Sequence, residues 1–164
     1  MSTESQDKFR QVLGDFDTAM LVTRNHAGEL RARPMVVADA GSDGTIWFLT
    51  QHESGKIGEV LADDHVAVTM QSDNSYLSLS GQAEPVDDPG KIDELWNEAW
   101  KTWFPEGKDD PTLCLLRVRG QRGEYWDNSG TGGLEYLFEA TKAYLSGTRP
   151  DVDDDPDIHA KVNL

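Results

Sequence analysis

The chain has 164 residues and carries 15 Lys and Arg against 30 Asp and Glu, a formal charge of −15. A field of that sign repels nucleic acid and anionic membrane surfaces, and excludes both as general partners. The length suits one domain with a sizeable core, the single Cys114 excludes an internal disulfide, and no apolar run approaches a membrane span.

Cys114 lies in the apolar run LCLL, the setting of a buried structural thiol rather than a nucleophile. His26, His52, His65 and His159 are scattered, with neither HExxH nor CxxC spacing, so no metal site is expected. The polar start MSTESQDKF does not read as a secretion signal, and a cytoplasmic location is the expectation. Aspartate outnumbers glutamate and lysine is scarce. That acidity reads either as adaptation to a salty cytoplasm or as an ordinary acidic chain with an Asp-rich tail.

Taken in order, residues 2–13 place Phe9, Val12 and Leu13 at helical spacing behind a Ser or Thr cap, which predicts a short amphipathic helix. TAMLVTR reads as a strand, NHAGE as a hairpin loop built on Gly28, and LRARPMVVAD as the second strand. Arg31 and Arg33, two apart, project from one face of that strand. Pro34 cannot donate a backbone hydrogen bond, which marks an edge or a bulge. After the turn AGSDG comes TIWFLT, a strand apolar enough to be covered on both faces. A helix starts near Ser54, with Ile57, Val60 and Leu61 on its buried face. Its first turn brings Ser54, Gly55 and Lys56 beside Thr50, and a helix N-terminus so furnished suits an anion. Arg31, Arg33, Lys56 and the two hydroxyls therefore read as a holder for a phosphate ester, or as ordinary solvated charges.

HVAVTMQ is the next strand, with Val66, Val68 and Met70 on one face. YLSLSGQAEPV alternates strictly at first, and Gly81 suggests a bulge. The stretch from Asp87 to Gly107 reads as one long helix, capped by Asp88 with Pro89 in its first turn. Its aromatic face, with Trp96, Trp100, Trp103 and Phe104, suits core or a subunit interface. LCLLRVRGQRGEYWD predicts a long strand able to bend at Gly120 and Gly123. Arg117, Arg119 and Arg122 on it are expected to make surface ion pairs. NSGTGG reads as a glycine-rich loop without a Walker lysine, ahead of a helix with Thr131 as cap and Leu134, Leu137, Phe138, Thr141 and Leu145 on one side. Residues 149–157 read as an acidic flexible linker, which leaves 1–148 as a single domain and 158–164 as a terminal segment, an added strand. The pattern lacks a regular βαβα alternation. It predicts a mainly β fold with short helices, a closed or split antiparallel barrel, with a groove where two copies meet.

The runs R-P-M-V-V, W-F-L-T, E-S-G-K-I-G-E-V-L and H-V-A-V, in this order, resemble the flavin-binding half of the pyridoxamine 5'-phosphate oxidase superfamily. G-x-L-x-A-R-P-M, D-D-P at Pro111, Y-W-D at Tyr125–Asp127, the tryptophan-rich segment and the ending IHAKVNL are similar to its general stress protein 26-like branch. The resemblance implies a split β-barrel homodimer of the FMN-binding type, with one FMN at each side of the interface. It gives Arg33 and Lys56 the phosphate, with Ser54 and Arg31 as helpers. Backbone groups of Pro34, Met35, Val36, Phe48, Leu49 and Thr50 would meet the ring edge. Trp103 and Trp126 would close the site, from either subunit. Departures from the true oxidases stand at Ala38, where those enzymes have a substrate-binding lysine, and at Gly55, which interrupts their Ser-Arg-Lys. Their C-terminal Arg-x-His motif is absent. Vitamin B6 oxidation is therefore not expected, and no residue is assigned as catalytic. Two functions follow from the resemblance. One is a flavin-dependent oxidoreductase acting on an unspecified small molecule. The other is a non-catalytic FMN-binding stress protein, or a deazaflavin- or haem-binding relative for which His52 is the nearest axial candidate.

Overall fold

The computed structural model describes residues 3–147 and 156–164, with side chains outside 130–136 and 139. Most of the acidic stretch 149–157 lies outside the described residues. The first helix, α1 (Thr3–Gly14), buries Phe9, Val12 and Leu13 as their spacing requires. Phe9 packs so closely on the barrel that a Cβ at Gly123 would lie 2.2 Å from its ring.

Six antiparallel strands close on themselves. They are β1 (Thr18–Arg24), β2 (Leu30–Ala40), β3 (Thr45–Gln51), β4 (His65–Gln71), β5 (Ser75–Val86) and β6 (Leu113–Asp127). The order is β3-β2-β1-β4-β5-β6, and β3 pairs again with β6 to complete the barrel. β7 (His159–Asn163) adds to the distal half of β6, which is the terminal strand that IHAKVNL predicts. Alternation along the strands turns Leu21, Phe48, Val68, Leu77, Leu79, Leu116 and Tyr125 inward, where they are fully buried. The expected bulge is present. Ser80 faces Arg122 and Gly81 faces Gly120, so Gln121 is the extra residue. Any Cβ at Gly81 would lie 2.0 Å from the Arg119 carbonyl oxygen, which is why glycine stands there.

The helices depart from expectation in three places. On α2 (Gly55–Ala62) the buried residues are Ile57, Glu59 and Val60, while Leu61 is 71% exposed. The helix turns a carboxylate inward because Arg33 and Thr23 are there to receive it. The predicted long aromatic helix is broken. α3 (Pro89–Leu95) ends at Trp96 (ψ 132°), and a 3₁₀ turn, Glu98–Thr102, follows. Asn97 causes the break by accepting a hydrogen bond from the Ala99 amide, the local competition that disfavours Asn inside helices. α4 (Gly130–Ser146) begins within the predicted glycine loop, with Ser129 rather than Thr131 as its N-cap. Asp127 fixes that start by accepting from both the amide and the hydroxyl of Ser129. The expected apolar side of α4 is open to solvent at Leu137, Phe138 and Leu145.

A second, smaller core lies outside the barrel on β3 and β6. Ile92, Phe104, Leu113 and Leu115 are buried there, with Trp47, Leu49 and Trp96 packed against them. It covers the outer face of TIWFLT, as the apolar run predicts, and holds the aromatic segment beside the edge of β3.

Candidate functional site

β2 and β3 pair only from Val37↔Phe48 to Ala40↔Ile46, across a bulge at Ala38. Beyond that point they separate. Pro34, Met35 and Val36 pair only with β1, and Leu49 and Thr50 only with β6. Pro34, which has no N–H to give, stands where the ladder opens. The Val37 amide donates to Asp17 on the β1 side, and the His52 amide donates to Thr112 on the β6 side. Peptide groups alternate along a strand, so those of Val36 and Leu49 turn into the gap, together with the Pro34 carbonyl.

The gap is a cleft of about 280 Å³. Its floor and sides are Pro34, Met35, Val36, Leu49, Thr50 and Gln51, and Trp100, Trp103 and Phe104 wall it. Ser54 and Lys56, at the start of α2, close the polar end. Lys56 Nζ donates to Thr50 Oγ1 at 2.9 Å, and that hydroxyl lies 3.3 Å from Ser54 Oγ. Ser54 makes no side-chain cap bond to its own helix, so its hydroxyl stays with this group. Burial, and then the charge of Arg33, lower the Lys56 pKa. Among the described residues no carboxylate pairs with Lys56. Beneath the cleft, burial and the nearby Asp87 push the Cys114 thiol up to about 11, the inert character that its apolar run predicts.

Arg33 is placed differently. It points inward rather than into the cleft, with one guanidinium nitrogen 2.5 Å from Thr23 Oγ1 and another 2.6 Å from Glu59 Oε2. Thr23 in turn donates to Glu59 at 2.5 Å. The Thr23 hydrogen bond, and then Arg33, lower the Glu59 pKa against the opposing effect of burial. Arg31, opposite Thr23 in the ladder, is exposed and also lowers the Glu59 pKa.

Of the residues the sequence singles out, the cleft gathers Pro34, Met35, Val36, Leu49, Thr50, Ser54, Lys56 and Trp103. Arg31 and Arg33 stand behind its polar end. Phe48 faces the barrel core and is fully buried. The peptide groups of Met35, Phe48 and Thr50 turn away from the gap. Trp126 lies on the distal half of β6, between Tyr76 and His159 in the ladder, and stacks on His159 at 5.2 Å. Within one chain it does not reach the cleft. His52 faces Asp87 at 3.0 Å and does not line the cleft. Sequence reasoning missed Gln51, Trp100 and Phe104 as lining and Glu59 as the partner of Arg33. A helical wheel drawn through the break at Asn97 misplaces the aromatic pair. The i,i+3 spacing of Lys56 and Glu59 was the one available signal for the carboxylate.

Residues 4–151 match the family described as pyridoxamine 5'-phosphate oxidase like. A solved structure of a candidate general stress protein 26 from Jannaschia sp. CCS1 is 28% identical, with a TM-score of 0.77, over 99% of this chain and 100% of that one. The general stress FMN/FAD binding protein of Xanthomonas citri is 31% identical, with a TM-score of 0.67, over 79% of this chain and 92% of that one. A general stress family protein of Xanthomonas campestris pv. campestris is 33% identical over the same shares, with a TM-score of 0.66. No curated protein matches. Among the described residues no helix is long and apolar enough to cross a membrane.

Proposed function

The chain belongs to the pyridoxamine 5'-phosphate oxidase-like family, and we propose that it binds FMN in the β2–β3 cleft, as a homodimer, and acts as a flavin-dependent oxidoreductase on a small molecule. The observation that carries this is the make-up of the cleft. Unpaired peptide groups, an uncompensated lysine with two hydroxyls, and an aromatic wall meet in one opening.

Those groups fit FMN part by part. Lys56, Thr50 and Ser54 would hold the phosphate through charge-assisted and hydroxyl hydrogen bonds. Arg31 and Arg33 stand behind them and add positive potential. The Val36 and Leu49 peptide groups would satisfy the polar edge of the ring, and Trp100 and Trp103 would cover apolar ring surface. Bound FMN supplies hydride and electron transfer, while the chain supplies orientation and exclusion of water. Ala38 and Gly55, where true oxidases carry a lysine and an arginine, argue against a vitamin B6 phosphate as substrate. The flavin-binding character of the Xanthomonas citri relative supports the same reading.

A second copy supports the site in two ways. Met20, Val36 and Trp103 leave apolar surface open around the cleft. Trp126, remote from the cleft of its own chain, would meet the cleft of its partner. Titration with FMN, followed by absorption and fluorescence, tests the proposal. One quenched flavin per chain is expected, on a particle of twice the chain mass in sedimentation. A chain that leaves excess FMN fluorescence unchanged overturns it.

A further inference from the structure

Acids outnumber bases in this chain, 30 to 15, so most described Lys and Arg side chains have a carboxylate in reach. Lys8 has Asp127, Arg24 has Asp63, and Arg117 and Arg119 share Glu84. Among the described residues, Arg31, Lys56 and Arg122 have none. Lys56 lines the polar end of the cleft, and Arg31 stands behind it. Arg122 lies elsewhere, and the surface pairing expected of it from the sequence is absent.

Arg122 stands on the outer face of β6, with Ser80 beside it on β5 and Asn163 on β7. The next rank along the strands is Ser78, Glu124 and Lys161. A groove of about 320 Å³ runs over these residues. Its one carboxylate is already engaged, for Glu124 lies 2.8 Å from His159 Nε2 and 3.8 Å from Lys161 Nζ. Two cations therefore face one satisfied anion. The hydroxyls of Ser78 and Ser80 have no hydrogen-bond partner among the described residues.

We propose that this groove is a second anion site, which takes a small ligand bearing a carboxylate or phosphate group. Arg122 presents a planar fork of donors to two ligand oxygens, the geometry that favours arginine at such groups. Ser78 and Ser80 supply neutral donors, and Lys161 supplies charge without fixed direction. The site shares no residue with the cleft, so its failure leaves the flavin reading untouched.

The test is an NMR titration of the ¹⁵N-labelled full chain with sodium succinate and, separately, with inorganic phosphate. Chloride holds the ionic strength constant. Saturable shifts of the Ser78, Ser80 and Arg122 amides are expected with at least one anion, and the tighter one names the ligand group. Arg122→Ala weakens that binding by about tenfold or more, whereas Arg31→Ala leaves it unchanged. Should Arg122→Ala lower the melting temperature, Ser80→Ala takes its place, with weaker binding expected at unchanged stability. Shifts that stay linear to the end of both titrations, shifts confined to Ser54 and Lys56, or equal affinity in the variants overturn the proposal.

Discussion

Arg33 and Lys56 lie on either side of the start of α2, and their charges serve opposite ends. Arg33 spends its charge inside the protein, on Glu59 and Thr23, and so ties β2 and β1 to α2. Lys56 has two hydroxyls for company and, among the described residues, no carboxylate. One cation is compensated and ties the fold together, and the other is left without a carboxylate partner among the described residues. Nearness in sequence to a binding motif therefore does not tell which charge is available. The partner across the fold decides it.

The sharpest way to break this contrast is to remove Arg33. Arg33→Ala leaves the Glu59 carboxylate buried without its counter-ion, with only the Thr23 hydroxyl to hold it, and should cost about 3 kcal/mol of stability. Lys56→Ala should leave thermal unfolding nearly unchanged. Equal melting curves for the two variants would erase the distinction. In FMN titrations the order reverses for the specific effect. Lys56→Ala should weaken binding by about 1.5–3 kcal/mol, the worth of a hydrogen bond to a charged group, with the fold intact.

Asp127 extends the comparison to a second compensated charge. Burial raises its pKa, but Lys8, Ser129 and Ser75 outweigh that and bring it down to about 2. A carboxyl depressed on folding stabilises the protein above its unfolded value, and that stability is lost as pH falls through the folded one. About 2 kcal/mol should therefore disappear between roughly pH 4 and pH 2. Urea unfolding across that range should show the loss in the parent and much less of it in Asp127→Asn. The smallest expected effect is at Leu61, whose exposure predicts that Leu61→Ala shifts stability by no more than about 0.5 kcal/mol. A large loss there would mean that a partner chain covers this side of α2.

Much of the fold was legible in the sequence because strand alternation is local. TAMLVTR, HVAVTMQ and YLSLSG show their buried faces residue by residue, and Gly81 announces its bulge. Most of the cleft's lining was legible as a set of residues but not as an arrangement. The separation of β2 from β3 depends on each strand having a second neighbour, which no short window contains. The inward turn of Glu59 needed Arg33 and Thr23 as receivers, both on strands distant in sequence. The exposed side of α4 shows the limit from the other direction, since an apolar helical stripe states that something must cover it without stating what.

The extra residue at Gln121 has a consequence for the whole length of β6. Before it, even-numbered residues face the barrel interior, as Cys114, Leu116 and Val118 do. After it, the odd-numbered Tyr125 and Asp127 are the buried ones. Gln121 thus works like a frameshift in a two-letter repeat. Drawing Gln121 into the ladder instead would run a single parity along β6 and send Tyr125 to the solvent and Trp126 to the interior. The outward display of Arg122, Glu124 and Trp126 rests on a residue that belongs to neither face.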